Sequence, residues 1–227
     1  MNEEEQKKIL CDIYCFMIKN KSSQKTLVPN SFRSPQRIGM TPQIFGEKTE
    51  SFLHELENRG LVEFRKKNED DEQEIHLTEE GRRKFVVVMT GGAFDILHPG
   101  HIETLKQAKS LGDVLVVSVA RDSTYERNRG KKPFHDEHAR KELVESVKYV
   151  DVALLGSENN IFETLELVGP DIVALGYDQS HSEEVIRAEI RKRGLATRVV
   201  RLSSSVPKIK TSKILGERGS EILTNLD

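Results

Sequence analysis

The sequence predicts an α/β protein in two parts: a doubly wound parallel sheet from residue 85 onward, preceded by a smaller module of helices and one hairpin. Three observations carry that prediction. Short β-branched runs alternate with amphipathic stretches through the second half, the pattern of a parallel sheet whose crossovers are helices. The apolar run Phe85-Val86-Val87-Val88-Met89 leads through a glycine- and histidine-bearing turn into a stretch that begins with proline, a strand-to-helix junction. The texture before Lys84 differs, with helical periodicity giving way to a charged hairpin. A chain of 227 residues is long for one domain and short for three, so the boundary is expected between 1–84 and 85–227.

From the N-terminus, Ile9, Ile13, Phe16 and Met17 mark one amphipathic helix. Cys11 and Cys15 lie one turn apart in it without histidine or cysteine companions nearby, so they read as small core residues. Phe52, Leu53 and Leu56 mark a second helix, over about 41–58, which stops at Asn58-Arg59-Gly60. A hairpin follows: Leu61-Val62-Glu63-Phe64, a charged turn from Lys66 to Glu74, and Ile75-His76-Leu77. This order, with Leu-Glu-Asn-Arg-Gly-Leu-Val-Glu before the turn and His-Leu-Thr-Glu-Glu-Gly-Arg after it, resembles the winged-helix modules of prokaryotic regulators. A helix that reads DNA is usually basic. Here Glu47, Glu50, Glu55 and Glu57 stand against Lys48 and Arg59, and the turn holds Glu69, Asp70, Asp71 and Glu72, so a dimerisation or lid role is favoured over DNA binding.

In the second part, strands are expected at 85–90, 113–119, 151–155, 171–175 and 197–202, with helices beginning near Pro99, Asp136, Asn160 and Ser182. A doubly wound, Rossmann-like sheet binds its ligand beyond the carboxyl ends of the strands, where strand order reverses. His98, Asp122, Gly176 and Ser203 fall at such ends and can converge. The junction Gly92-Ala93-Phe94-Asp95-Ile96-Leu97-His98-Pro99-Gly100-His101 is built to hold phosphate. A helix N-terminus offers unpaired N–H groups and partial positive charge, two imidazoles come from the same turn, and Gly100 lets the backbone approach the ligand.

Composition narrows the rest. A net charge of −2 argues against a protein whose main partner is nucleic acid or an anionic membrane. The opening Met1-Asn2-Glu3-Glu4-Glu5-Gln6 is acidic and lacks an apolar run of signal-peptide length, and no segment approaches a membrane span. A cytoplasmic, reducing setting is expected.

The histidine motif, followed in order by Lys131-Lys132, Arg140 within His138-Ala139-Arg140-Lys141, Lys148-Tyr149-Val150-Asp151, Leu175-Gly176-Tyr177-Asp178-Gln179 and Lys210-Thr211-Ser212-Lys213-Ile214, resembles the cytidylyltransferase-like nucleotidyltransferases over roughly 85–215. Those enzymes join a nucleoside triphosphate to a phosphate-bearing acceptor and release pyrophosphate. Within the family the motifs are most similar to the archaeal FAD synthases, which transfer AMP from ATP to FMN; the glycerol-3-phosphate cytidylyltransferases come second, and a regulator that senses flavin or nucleotide is a third reading. The resemblance implies that His98, His101, Lys131 and Arg140 carry catalysis. It implies that Ala93, Phe94, Pro99, Gly100, Tyr177, Asp178, Thr211 and Ser212 line the nucleotide with the two histidines. Family members usually have threonine where Ala93 stands, which leaves more to the N–H groups of Gly92 and Phe94. Lys148 stands where many cytidylyltransferases have arginine, and no arginine precedes Thr211 closely. Asp95 and Asp122 are the carboxylates near the strand ends, but Mg2+ is expected to be held mainly by the triphosphate, with no dedicated protein site. Small-molecule substrates are implied, membrane contact is not, and homodimerisation is left open.

Overall fold

The computed structural model describes residues 2–22, 49–66, 73–158, 160–177 and 183–203. The chain divides into two compact units, Met1–Val86 and Val87–Asp227.

In the first unit, α1 spans Glu3–Ser22, α2 Thr49–Asn58, β1 Val62–Lys66, β2 Gln73–Leu77 and α3 Glu79–Arg82. A reciprocal cap starts α1: the Asn2 N–H donates to Glu5 Oε2 at 2.9 Å and the Glu5 N–H to Asn2 Oδ1 at 2.8 Å. Its buried stripe is Ile9, Leu10, Ile13, Tyr14 and Ile18. Phe16, Met17 and both cysteines sit half-buried on its flanks, which corrects the core position expected for Cys11 and Cys15. β1 and β2 pair antiparallel with Val62 opposite Leu77. Phe85 belongs to this unit: its ring meets Tyr14 edge-on at 5.5 Å, and the Arg82 guanidinium lies 5.1 Å from the Phe85 ring and 5.4 Å from Tyr14. The following strand therefore begins two residues later than the apolar run suggests.

The second unit is a five-stranded parallel sheet. Its elements are β3 Val87–Gly92, α4 Pro99–Lys109, β4 Val114–Val119, α5 Asp122–Arg129, α6 Glu137–Glu145, β5 Val152–Leu155, α7 Ile161–Val168, β6 Ile172–Leu175, α8 Glu183–Lys192 and β7 Arg198–Arg201. Strand order is β5-β4-β3-β6-β7, all neighbours parallel, so the order reverses between β3 and β6. With the right-handed crossovers that parallel units as a rule adopt, this order puts helices on both faces, in keeping with the burial of β4 along its whole length. On one face Val88, Leu115, Val117 and Ala153 form a core with Leu105 and Ala108 of α4 and Val144 of α6.

α5 was not expected. Its sequence, DSTYERNR, buries only Tyr125, so it lacks the apolar repeat by which the other helices announce themselves.

Candidate active site

β3 ends at Gly92 and α4 starts at Pro99, and the turn between them is held in an uncommon shape. Phe94 has φ +51°, left-handed backbone that a non-glycine residue seldom adopts. Its ring is 4% exposed and lies over Gly92, where a Cβ would come within 2.9 Å of it. The same ring meets His101 at 5.2 Å and 59°. Phe94, expected along the nucleotide, is thus a buried bearing beneath His101.

The two motif histidines come together. Their rings stack at 3.9 Å with planes 21° apart. His98 occupies the N-cap of α4, yet its side chain makes no capping bond, so the imidazole is not tied to helix initiation. Both Nδ1 atoms are buried. Pro99 has no N–H, and the N–H groups of His101 and Ile102 donate to the His98 carbonyl at 2.9 and 3.3 Å. Of the first-turn amides, that leaves Gly100 for an anion at the positive end of the helix. Beside the pair, Leu97, His98, Pro99 and Ile102 line an open hollow of about 470 Å3.

A charged network centred on a buried guanidinium holds the same turn. Arg140 is 0% exposed. Its Nη1 donates to the Ala93 carbonyl at 2.5 Å, its Nε to the His135 carbonyl at 3.0 Å, and its Nη2 to the Ala120 carbonyl at 2.8 Å and to Asp122 Oδ1 at 2.7 Å. One guanidinium therefore ties together the phosphate turn, the end of β4 and the lysine-bearing loop. Arg140 was expected to contact substrate; its donors are engaged with protein instead. Glu137, one turn before it in α6, accepts from the Asp122 N–H at 2.8 Å and from Arg121 Nη1 at 2.7 Å, while Arg121 Nε donates to the Gly156 carbonyl beyond β5 at 2.9 Å. Burial alone would raise the Glu137 pKa, but the bonds from Asp122 and Arg121 outweigh it and hold the carboxyl below its ordinary range.

A second buried carboxylate fixes the loop that carries Lys131 and Lys132. Asp95, 3% exposed, accepts at Oδ1 from the N–H groups of Phe134 (2.7 Å) and His135 (3.2 Å), and at Oδ2 from the Tyr125 hydroxyl (3.0 Å). The His135 ring Nδ1 donates to the Asp95 carbonyl at 2.8 Å. Burial, then the bond to Asp95, pushes the Tyr125 pKa up. Lys131 and Lys132 themselves are exposed. Asp95 and Asp122, the carboxylates nearest the strand ends, are thus occupied by protein donors, and among the described residues no three acidic, histidine or cysteine side chains gather as a metal site. The described side chains do not form a magnesium cage.

The remaining expectations divide. Ala93 lies in the turn with its carbonyl held by Arg140. Tyr177 follows β6 at the carboxyl edge, half-buried, and the Gly176 carbonyl before it accepts from Arg201 Nη1 at 3.0 Å. Asp178, Thr211 and Ser212 lie outside the described residues. Lys148-Tyr149-Val150-Asp151 precedes β5 and so stands at the opposite, amino edge of the sheet. There Asp151 Oδ2 accepts from the Leu115 N–H and from Lys109 Nζ, each at 2.6 Å, and Lys148 Nζ lies 5.0 Å from the Tyr149 ring.

A doubly wound parallel sheet, with a stacked imidazole pair at the helix start on its switch point, is the architecture of a nucleotide-binding α/β protein. Residues 89–217 match the model of the cytidylyltransferase-like family, and the chain belongs to that family and is a nucleotidyltransferase. It is 54% identical over 117 residues to a protein of Aciduliprofundum boonei named FAD synthase, covering 52% of this chain and 78% of that one. It is 47% identical over 139 residues to a protein of Thermoplasma volcanium with the same name, covering 58% of this chain and 97% of that one. A crystal structure from Thermoplasma volcanium, described as a lipopolysaccharide core biosynthesis protein, superposes with a TM-score of 0.51 at 49% identity, over 53% of this chain and 98% of that one. The N-terminal unit lies outside the family match. Among the described residues no helix is long and apolar enough to cross a membrane.

Proposed function

We propose that the chain is an FMN adenylyltransferase, an FAD synthase that transfers AMP from ATP to FMN and releases pyrophosphate. The observation that carries this reading is the likeness to proteins named FAD synthase, at 42 to 54% identity over the region that contains the phosphate turn. In the reaction, an FMN phosphate oxygen attacks the α-phosphorus of ATP in line with the α–β bridging oxygen. The new P–O bond forms as the bridging bond breaks, and pyrophosphate departs with the electron pair. No protein nucleophile is required. Catalysis then rests on positioning two anions and on stabilising charge that grows on the leaving oxygens.

His98 and His101 donate through Nε2 to those oxygens, and the Gly100 N–H with the α4 dipole holds the phosphate chain. Lys131, on the loop that Asp95 fixes, reaches the phosphates. Arg140 acts through backbone, setting the carbonyl of Ala93 and with it the turn. Tyr177 and Asp178 take the base and ribose, and Thr211 and Ser212, in the motif that resembles the family's, take a phosphate. Magnesium accompanies the triphosphate as its counter-ion, and no step above runs through it. We place the reaction in the cytoplasm and assign the first unit no DNA, since α2 carries Glu50, Glu55 and Glu57.

The test is incubation of the purified full-length protein with magnesium, ATP and FMN. FAD and pyrophosphate are expected in equal amounts, with far less product from CTP and glycerol-3-phosphate. Consumption of glycerol-3-phosphate with FMN inert would keep the enzyme class and overturn the substrate.

A further inference from the structure

Among the described residues, Phe134 is the most exposed large apolar side chain, at 73%. It is no loose loop tip. Its own N–H and that of His135 are both bonded to the buried Asp95 carboxylate, and Pro133 restricts the backbone just before it. The His135 ring, itself bonded to the Asp95 carbonyl, meets the phenyl at 4.9 Å and 75°, an edge-to-face contact that supports it from one side. The fold thus holds an aromatic ring in water on a firmly anchored segment, two residues from Lys132 and three from Lys131.

Strand order says which substrate such a ring serves. The reversal between β3 and β6 opens the nucleotide crevice toward Gly176 and Tyr177, on the β6 side. The Phe134 segment follows β4 and α5 and hangs from Asp95, on the other flank of the phosphate turn. We propose that Phe134 is the acceptor platform: its phenyl stacks on the isoalloxazine of FMN while the lysines of the same loop take the FMN phosphate. This rests on the FMN adenylyltransferase reading. The spacing agrees with it. At no more than about 3.5 Å per residue, the lysine backbones lie within roughly 7–10 Å of Phe134, the scale of the ribityl chain that separates ring from phosphate in FMN. A small phosphorylated alcohol has no ring for such a platform.

The experiment is steady-state kinetics of full-length Phe134→Ala and Phe134→Trp, with FMN fluorescence titrations alongside. Phe134→Ala should raise KM for FMN by roughly tenfold or more, the usual loss for a stacking aromatic, while KM for ATP stays unchanged. Phe134→Trp should restore it. FMN emission should be quenched strongly on binding to Phe134→Trp, whose indole donates an electron to the excited flavin, and much less on binding to the wild type. Because the side chain is exposed, both variants should fold. An unchanged KM for FMN in Phe134→Ala would overturn the proposal, and if sedimentation showed an altered oligomeric state at the same time, the phenyl would be a contact between chains instead. Wild-type protein that makes FAD in that case leaves the reaction standing; wild-type protein inert toward FMN removes the reaction and this proposal together.

Discussion

The two edges of the sheet use the same residue types to opposite ends. At the amino edge, Asp151 and Asp171 accept directly from strand amides, Leu115 N–H at 2.6 Å and Val87 N–H at 2.7 Å, and Lys109 closes onto Asp151. The carboxylates there fasten strand starts to one another. At the carboxyl edge, Asp95, Asp122, Glu137, Arg121 and Arg140 bond to loop backbone and to each other, while the imidazoles of His98 and His101 stack on one another at 3.9 Å and Lys131 and Lys132 stand exposed. A division into two layers, a lower one of scaffold charges and an upper one of the proposed ligand-facing groups, is what a site needs if catalytic groups are to be held by their neighbours and still be available to substrate.

The sharpest way to break this comparison is to remove the upper layer. His101→Ala, or His98→Ala, should lower kcat by about 100- to 1000-fold, the usual loss of one preorganised donor, with an unchanged circular dichroism spectrum. A folded variant with near-normal turnover would detach the pair from the chemistry. Removing the lower layer should act first on stability. Arg140→Met leaves three carbonyls and Asp122 without their donor, and urea unfolding should show a loss of roughly 3 kcal/mol or more. Asp95→Ala strands two loop amides and the Tyr125 hydroxyl; about 1–3 kcal/mol should be lost, with faster proteolysis at 130–136 and a higher KM for FMN as the loop of Lys131, Lys132 and Phe134 loses its anchor. Lys148→Ala, at the amino edge, should change stability by less than about 0.5 kcal/mol and leave kcat alone. A large loss of turnover there would show that the site reaches across the sheet.

The strands were legible because a doubly covered sheet requires continuous apolar runs, and each observed strand lies within about two residues of its expected span. Phe85 misled, since nothing in an apolar run says that its first ring belongs to the first unit and packs there on Tyr14 and Arg82. The histidine pair was legible from spacing alone, because positions three apart at a helix start share a face. Arg140 was not: a charged residue in a polar helix defaults to the surface, and its burial depends on three carbonyls brought together only by the folded loops. Phe94 was misjudged for a related reason, as the left-handed backbone that accompanies its burial leaves no mark in the residue types around it. Asp95 and Tyr125 form the staple of the lysine loop through a bond that spans 30 residues, beyond any local pattern.

Hydrogen exchange on the full-length protein, with and without ATP and FMN together, reads both edges in one measurement. Substrate should slow exchange at the phosphate turn, residues 92–102, and at the loop 130–136, while residues 147–151 at the amino edge exchange as before. Protection centred on 147–151, with the histidine turn unaffected, would contradict the assignment of the carboxyl edge as the catalytic one.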